Sequence, residues 1–347
     1  MKIKKRKIQN SLKQAWQSNM RIGVIGAGSW GSALASALAA NGASVSIYGR
    51  NYQNTVGIEQ HQCNETYLPG IQLAKGICAA KDLDELLRDS DYVLIAVPSH
   101  GFKNTLLQIK ASKKIRPIIW ASKGLVPGSG NFFHDEIIKI FGPSLPHAFI
   151  GGPSFAKEVA MNLPTAVLVA SSDAVFAEQV RQLFHRDVFR VYVTKDVIGA
   201  QIGGIVKNVI AVATGISDGI GFGANARAAL ITRGIAEMMR FGRIMGANKD
   251  TLMGLSGCGD LVLTCTDNQS RNKRFGLALA SGMSVAAAQE SIGQVVEAVF
   301  NAEEICNKAK QYNIDMPISE HVNQIFLGNI TVNEVFDSLV SRETKVE

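Results

Sequence analysis

The chain has 347 residues, of which 46% are hydrophobic and 19% charged, and these values are typical of a globular protein with about two domains. They exclude a disordered, collagenous or low-complexity chain. The formal net charge is +7, but six of the basic residues lie within residues 1–20, which contain no acidic residue. The body of the protein is therefore nearly neutral, which argues against a nucleic-acid-binding domain with a basic face.

Residues 1–20 form a predicted basic N-terminal extension with apolar side chains at helical spacing. This pattern fits a solvated extension or one that contacts an acidic membrane surface, and Met20 is an alternative start of the chain. The five cysteines include no C-x-x-C pair, so we expect free thiols, a cytoplasmic protein and no metal site. The nearly apolar strand-like runs are much shorter than the roughly 20 residues of a membrane-spanning helix, which predicts no integral membrane contact.

Short apolar runs alternate with helix-like segments from Arg21 to Val193. Six of these runs have strand length and are rich in Ile and Val on both faces, which is typical of strands in a parallel sheet covered by helices. The predicted strands are Ile22–Ile25, Val45–Tyr48, Tyr92–Val97, Ile118–Ala121, His147–Ile150 and Ala166–Ala170, and the predicted crossover helices include Ser32–Ala40 and Leu83–Arg88. The predicted fold class is therefore α/β, with an N-terminal Rossmann-like doubly wound parallel sheet.

After Val191–Val193 the pattern changes, because long stretches rich in Ala, Ile, Val and Met follow at helical spacing. We therefore predict an all-helical C-terminal domain. The expected boundaries are residues 21–194 for a dinucleotide-binding domain, 195–340 for a helical substrate and catalytic domain, and 341–347 for a C-terminal tail.

The segment Gly26–Gly31 reads GAGSWG and stands between the first predicted strand and the first predicted helix. A G-x-G-x-x-G pattern is weak by itself, but here strand, loop, helix and second strand follow in the order of a dinucleotide-binding βαβ unit. Gly26, Gly28 and Gly31 would then provide a tight turn, close approach of a pyrophosphate and close helix packing. The helix N-terminus would supply N–H groups to the anion. A purely structural βα turn is the alternative.

Arg50 stands at the end of the second predicted strand, where an NAD-specific site usually has Asp or Glu for the ribose 2′-hydroxyl. A guanidinium can pair with a 2′-phosphate, so this residue favours NADP over NAD as the cofactor. Alternatively, Arg50 stacks on the adenine or faces solvent.

Lys207 is the only charged residue of a predicted apolar helix between Ala200 and Ser217. A buried ammonium is costly unless it is paired or functional, and desolvation moves the pKa of a lysine toward the range of a general acid or base. Asp260, in the glycine-rich segment Leu255–Val262, is a candidate partner that would orient this lysine and offset its desolvation. Alternatively, Lys207 snorkels to solvent.

A second candidate site begins at Ser270, a predicted helix N-cap in a polar loop. Arg271 and Asn272 follow at the start of the helix and are typical of an anion site, specifically one for phosphate. An ordinary capped and solvated helix start is the alternative.

Eight segments together resemble the bacterial NAD(P)-dependent glycerol-3-phosphate dehydrogenases. They are GAGSWG at 26–31, VPSH at 97–100, ASKGL at 121–125, GGPSFAKE at 151–158, GGIVKNVIA at 203–211, SDGIGFGANARAALITRG at 217–234, GDLVLTCTDNQSRNKRFG at 259–276 and IGQVVEA at 292–298. The resemblance runs in order over residues 21–318, nearly the whole body of the chain. It implies reversible NAD(P)H-dependent reduction of dihydroxyacetone phosphate to sn-glycerol 3-phosphate, which supplies glycerophospholipid synthesis.

The resemblance also implies roles for individual residues. Lys207 corresponds to the general acid or base at the substrate oxygen. The implied substrate contacts are Lys123, Gly152, Ser154, Lys207, Asp260, Ser270, Arg271 and Asn272. The cofactor contacts, with the glycine loop included, are Gly26, Gly28, Ser29, Trp30, Gly31, Arg50, Lys123, Ala156, Arg271, Val295 and Glu297. No metal is implied, because the nicotinamide carries the redox chemistry.

Two other functions are compatible with the sequence. One is another β-hydroxyacid-type NAD(P) dehydrogenase, which would not need the phosphate-type cluster at residues 270–272. The other is a dinucleotide-sensing protein without turnover. His100 follows a strand end, where it could line a cofactor cleft, but a packing or orienting role is favoured because Lys207 already fills the acid–base role. A homodimer is expected from the habit of the family and from the prevalence of twofold symmetry.

Overall fold

The computed structural model describes residues 19–334. Within that range the chain forms two compact units, one of residues 19–126 with 131–201 and one of residues 127–130 with 202–334. The predicted basic extension, except for its last two residues, and the predicted tail over 341–347 lie outside the described residues.

The first unit contains the strands β1 (Arg21–Ile25), β2 (Ser44–Tyr48), β3 (Cys63–Asn64), β4 (Leu68–Gln72), β5 (Ile77–Ala79), β6 (Tyr92–Ile95), β7 (Ile118–Trp120), β8 (Leu125–Val126), β9 (Asn131–Phe132), β10 (His147–Gly151), β11 (Thr165–Ala170) and β12 (Phe189–Thr194). Eight of them form one sheet in the order β12–β11–β10–β7–β6–β1–β2–β5. The pairs β3–β4 and β8–β9 form separate antiparallel hairpins. The chain builds the sheet outward in both directions from β1, as in a doubly wound fold, and the predicted fold class is confirmed.

The sheet is not parallel throughout. Strands β1, β2, β5, β6, β7 and β10 run in one direction, whereas β11 pairs antiparallel with β10 and β12 follows the direction of β11. Ala166–Ala170 was predicted to be a strand of the parallel sheet. It is a strand, but it runs antiparallel to its neighbour β10, so the predicted direction was wrong. The connecting helix, Ala156–Ala160, has five residues and spans only about 7.5 Å, which is too short to carry the chain back along β10.

The helices of the first unit are α1 (Ser29–Ala40), α2 (Tyr52–His61), α3 (Leu83–Arg88), α4 (Ser99–Ala111), α5 (Phe133–Phe141), α6 (Ala156–Ala160) and α7 (Ala174–Phe184), with the first residues of α8 (Val197–Gly219). Two apolar cores lie in this unit, one on each side of the sheet. Successive residues of a strand face opposite cores, since Val24 and Leu94 belong to one core while Ile25 and Val93 belong to the other. Burial on both faces explains why these strands are rich in Ile and Val at every position.

Several strands were not predicted. Strand β4 has five residues but contains Pro69 and Gly70, which are typical of turns and loops. Strand β5 has three residues, and β3, β8 and β9 have two residues each. Runs this short carry no measurable periodicity, and they pair because the longer elements bring their partners into register.

Every regular element among the described residues of the second unit is a helix, as predicted. It contains most of α8, followed by α9 (Gly223–Met245), α10 (Lys249–Met253), a π-helix (Leu255–Gly259), α11 (Asp260–Thr266), α12 (Arg271–Ala280), α13 (Val285–Ile292), α14 (Glu297–Gln311) and α15 (Pro317–Phe326). Helices α8 and α12 cross at two glycines, where a Cβ on Gly276 would lie 2.9 Å from the Cα of Gly215. The two backbones therefore touch, and neither glycine has room for a side chain.

By length and composition alone, helix α8 could cross a membrane. The prediction of no membrane contact rested on the strand-like apolar runs, which are shorter than this helix. Most of this helix is buried within the protein. Ile205, Val209 and Ile210, for example, are inaccessible to solvent, which is typical of a core helix that is apolar on all sides.

Glu237, on α9, is a buried carboxylate that caps another helix. It accepts hydrogen bonds from the backbone N–H groups of Ile318 and Ser319 and from the Ser319 hydroxyl at the start of α15. Burial nevertheless raises the pKa of Glu237 to about 7, because desolvation outweighs these hydrogen bonds and the charge of Arg240.

The raised pKa of Glu237 predicts a pH dependence of stability. Between the ordinary pKa of 4.5 and about 7, the folded chain holds a proton at this carboxyl that the unfolded chain has released. We expect the free energy of unfolding to fall over this range as the pH rises, by on the order of 3 kcal/mol from this group. The difference in that free energy between the wild type and Glu237→Gln should therefore fall between about pH 5 and about pH 8 in urea titrations. A difference that does not change with pH would contradict the effect of burial.

Candidate functional site

The loops that follow five strands of the first unit lie at one edge of its sheet, here called the ligand edge. Carboxyl ends of parallel strands share an edge, and doubly wound folds bind their ligands there. Gly26–Gly31 follows β1, Arg50 follows β2, residues 97–100 follow β6, Lys123 follows β7 and Gly152 follows β10. The site residues predicted for this unit therefore lie at a single edge.

The three glycines of the loop Gly26–Gly31 differ in what a side chain at each position would contact. Gly26 has φ +113°, a conformation that favours glycine, and a Cβ there would lie 2.7 Å from the Ala96 carbonyl oxygen. Gly31 packs directly on the Gly26 carbonyl. Apart from its neighbours in the chain, no atom lies within 4 Å of a Cβ placed on Gly28, so this position is open. The three positions match a loop whose middle glycine lets a pyrophosphate approach the backbone.

The start of α1 is suited to an anion. Gly28 is its N-cap and has no side chain to bond the first N–H groups, and the first turn contains no acidic residue. Ser29 begins the helix and Trp30 follows, with its indole packed against the core and its Nε1 without a partner among the described residues. Ala156, the first residue of α6, packs against the same core. These features fit the diphosphate of a dinucleotide.

Arg50 is exposed and directly precedes Asn51, the N-cap of α2. It lies close enough to His100 for its charge to act there, since burial first and the Arg50 guanidinium second lower the pKa of the His100 imidazole. Arg50 is thus an accessible cation at the ligand edge.

The loops after β7 and β10 are held tightly at the same edge. Lys123 is half-buried, and the preceding Ser122 donates a hydrogen bond to the Val97 carbonyl at 2.5 Å. Gly152 has φ +130°, and a Cβ there would lie 3.3 Å from a Cα atom of β11. The Ser154 hydroxyl donates to the Gly152 carbonyl at 2.9 Å, which orients this loop.

The second unit contains a buried ion pair. Lys207, on α8, is 7% exposed, and Asp260, on α11, is 1% exposed. The Lys207 ammonium donates to Asp260 Oδ1 at 2.5 Å and to the Thr264 hydroxyl at 3.0 Å. The Thr264 hydroxyl donates in turn to the Asp260 carbonyl oxygen at 2.6 Å. The structure therefore brings Lys207 and Asp260 together, and the lysine does not extend into solvent.

Local backbone geometry positions this pair. The π-helix Leu255–Gly259 ends directly before Asp260, and such wide turns are frequent at functional sites. Gly203 lies one turn before Lys207 on α8, and a Cβ there would lie 2.7 Å from the Cα of Gly257. The two glycines let the backbones of α8 and the π-helix touch, so that a short carboxylate reaches the ammonium.

The start of α12 has the N-cap that was predicted for it. The Ser270 hydroxyl accepts a hydrogen bond from the Lys273 N–H at 3.2 Å and acts as the N-cap. Arg271, the next residue, donates to Gln294 Oε1 at 3.5 Å. Burial lowers the pKa of the Arg271 guanidinium, and the nearby Glu297 opposes this shift. A bound anion would stabilise such a desolvated cation.

Asn272 connects three helices. Its amide donates to Asn208 Oδ1 at 2.9 Å, and its own Oδ1 accepts from the Ala298 N–H at 3.2 Å. Asn208 is the neighbour of Lys207 on α8, and Ala298 directly follows the segment Val295–Glu297 in the chain. Because both ends of its amide bond to protein, Asn272 fixes α8, α12 and α14 to one another, and its direct substrate contact stays a prediction.

Two members of this cluster were not predicted from the sequence. Thr264 lies four residues after Asp260, and this helical spacing was an available signal. Asn208 directly follows Lys207, but adjacent residues of a helix point in different directions, so nothing local indicates its contact with Asn272. Among residues 19–334, no group of three or more His, Cys, Asp and Glu side chains is placed to hold a metal ion.

Comparisons with known proteins cover both units. Residues 21–177 match the family model described as NAD-dependent glycerol-3-phosphate dehydrogenase N-terminus, and residues 196–337 match the model described as the C-terminus. A glycerol-3-phosphate dehydrogenase (NAD(P)+) of Bartonella tribocorum is 48% identical over 326 residues, which are 93% of this chain and 98% of the relative. A relative of the same name from Xanthomonas campestris is 47% identical over 331 residues, which are 94% of this chain and 96% of the relative.

A solved structure agrees with these sequence relatives. The crystal structure of glycerol-3-phosphate dehydrogenase from Coxiella burnetii superposes with a TM-score of 0.90 at 40% sequence identity. The superposition covers 94% of this chain and 100% of that one. On these matches to both halves and to full-length relatives, the chain belongs to the NAD-dependent glycerol-3-phosphate dehydrogenase family.

Proposed function

We propose that the chain catalyses the reversible NAD(P)H-dependent reduction of dihydroxyacetone phosphate to sn-glycerol 3-phosphate and so supplies glycerophospholipid synthesis. The observation that carries this proposal is the buried cluster of Lys207, Asp260 and Thr264, which Asn208 and Asn272 link to the start of α12. In this proposal, the proton donor and the phosphate site lie in the same unit. Family membership supports the choice of substrate.

The substrate phosphate binds, in this proposal, at the start of α12. The N-terminal end of a helix carries partial positive charge and N–H donors. Arg271 adds a guanidinium, which can hold two phosphate oxygens at once. A doubly anionic phosphate would also offset the desolvation of this side chain.

Lys207 acts as general acid in the reduction and as general base in the oxidation. Negative charge develops on the substrate oxygen during reduction, and an ammonium at hydrogen-bond distance stabilises that charge more in the transition state than in the ground state. Lys207 Nζ then gives a proton to this oxygen. Asp260 and Thr264 orient the ammonium, and the carboxylate reduces the cost of burying its charge.

The dinucleotide binds at the ligand edge of the first unit. The open position at Gly28 and the uncapped start of α1 fit its diphosphate. When bound, the nicotinamide supplies the hydride. The other proposed cofactor contacts are Gly26, Ser29, Trp30, Gly31, Arg50, Lys123, Ala156, Arg271, Val295 and Glu297, and the other proposed substrate contacts are Lys123, Gly152, Ser154, Ser270 and Asn272.

A steady-state assay of NADPH oxidation tests this function. We expect turnover with dihydroxyacetone phosphate and no comparable turnover with ketopantoate, which lacks the phosphate group. Turnover with ketopantoate alone would assign a β-hydroxyacid-type activity. Dinucleotide binding without turnover of either substrate would indicate a sensing protein.

A preference for NADP over NAD follows from the exposed guanidinium of Arg50. Replacing Arg50 with Asp should raise the KM for NADPH by about tenfold or more and should not raise the KM for NADH, because a carboxylate repels a 2′-phosphate but accepts from a ribose hydroxyl. Arg190→Asp, on β12, makes the same charge change at another exposed arginine of this unit and serves as the control. If Arg50→Asp leaves the ratio of the two KM values unchanged, the NADP preference does not depend on this residue.

We further propose that the chain works as a homodimer in the cytoplasm. The free cysteines of the described residues fit a reducing compartment, and twofold assemblies are the commonest oligomers. Light scattering on the purified protein measures the oligomeric state, and a monomeric mass at assay concentration would contradict the dimer.

A further inference from the structure

Asn64 is a fully buried side chain that contacts the glycine loop from a separate hairpin. It stands on β3, at the point where the pairing with β4 shifts register. Its amide donates hydrogen bonds to the Ala27 carbonyl at 3.0 Å and to the Ser32 hydroxyl at 2.8 Å. Ala27 immediately precedes the open position at Gly28, and Ser32 lies at the end of the first turn of α1. Asn64 therefore bridges the two sides of the segment that fits a diphosphate.

All polar atoms of the Asn64 amide have partners. Its Oδ1 accepts a hydrogen bond from the Tyr67 N–H at 3.2 Å, so the amide nitrogen must face the loop. A carboxylate of the same size could not make these contacts, because it would place one oxygen against the Ala27 carbonyl oxygen. The position therefore requires the N–H donors of an amide as well as a side chain of this size.

The glycine loop Gly26–Gly31 would bind a ligand more tightly if its conformation were fixed beforehand. Gly26, Gly28 and Gly31 lie within six residues, and glycine loses more conformational freedom on ordering than any other residue. A ligand that binds one conformation of such a loop must overcome this entropy, unless the protein has ordered the loop beforehand. Two hydrogen bonds from a fixed side chain, one on each side of Gly28, provide that ordering.

We propose that Asn64 is a positioning residue for the dinucleotide. By holding Ala27 and Ser32, it keeps the Gly28 backbone and the start of α1 in the arrangement that receives the diphosphate. The β3–β4 hairpin thereby contributes to cofactor affinity through the loop. This inference rests on the proposed dinucleotide-dependent function.

The test compares Asn64→Asp with Asn41→Asp. Asn41 lies at the opposite end of α1, and its amide donates to the Leu183 carbonyl at 2.8 Å, so the control removes the same kind of hydrogen bond from the same helix. Quenching of tryptophan fluorescence by NADPH gives Kd, and thermal unfolding gives Tm, and neither measurement requires turnover. We expect Asn64→Asp to raise the Kd for NADPH by about tenfold or more. Asn41→Asp should lower Tm without changing Kd.

The outcomes separate this inference from the proposed function. At saturating NADPH, Asn64→Asp should keep most of its kcat, since Lys207 and Asp260 are unaltered. A lower Tm with a Kd equal to that of Asn41→Asp would overturn the positioning role. A wild-type chain that binds no dinucleotide would instead overturn the proposed function.

A second variant keeps the test available if Asn64→Asp does not fold. Ser32→Ala removes one acceptor of the Asn64 amide with little change in volume. It should raise the Kd for NADPH severalfold at nearly unchanged kcat. An unchanged Kd in this variant would also overturn the positioning role.

Discussion

Replacing Lys207 with Met is expected to lower kcat for the reduction of dihydroxyacetone phosphate by about a thousandfold or more, while the Kd for NADPH stays near the wild-type value. Methionine fills the space of the lysine stem but carries no charge and no proton. The variant therefore loses both general acid catalysis and stabilisation of the charge on the substrate oxygen. Steady-state kinetics and NADPH titration together measure the effect.

The same substitution leaves Asp260 as a buried carboxylate without its cation, so a fall in Tm is also expected. The double variant Lys207→Met with Asp260→Asn removes both charges and controls for this instability. It should recover much of the Tm and none of the kcat. A Lys207→Met enzyme with kcat within about tenfold of the wild type would show that another group supplies the proton.

Replacing Arg271 with Leu is expected to raise the KM for dihydroxyacetone phosphate by about a hundredfold, because a charge-assisted, two-point contact with phosphate is lost. The fall in kcat should be much smaller, since the Lys207–Asp260 pair stays in place. Varying each substrate in steady-state assays separates this effect from the proposed contribution of Arg271 to the KM for NADPH.

Arg274→Leu is the matched control, because Arg274 is an exposed arginine on the same helix, three residues further on. This variant loses the same charge at a residue that is not among the proposed phosphate contacts. Equal KM values in the two variants would mean that Arg271 acts only through the general positive potential of α12.

The parts of the site with local causes were predictable from the sequence. The order of strand, glycine loop and helix around Gly26–Gly31 follows from backbone requirements of three neighbouring glycines. The burial of Lys207 follows from the apolar character of its own helix on every side. The capping role of Ser270 likewise depends only on the residues that follow it.

The parts that depend on distant segments were not predictable. Asn64 reaches Ala27 across 37 residues, and Asn208 reaches Asn272 across 64. The spacing of residues within one helix or strand does not predict such a contact, because the contact forms only when two distant helices or strands pack against each other. The direction of β11 is a similar case, since it depends on whether a five-residue helix can return the chain along β10.

The distance along the chain between Lys207 and Asp260 has a consequence for when the ion pair forms during folding. Their contact closes a loop of 53 residues, and loops of this length form only when packing elsewhere compensates the entropy of closure. In a chain whose helices have formed but have not yet packed, Lys207 and Asp260 would both be exposed to water, where an ion pair contributes little. The proposed acid–base group therefore exists only after α8 and α11 have packed together, and an incompletely folded chain lacks it.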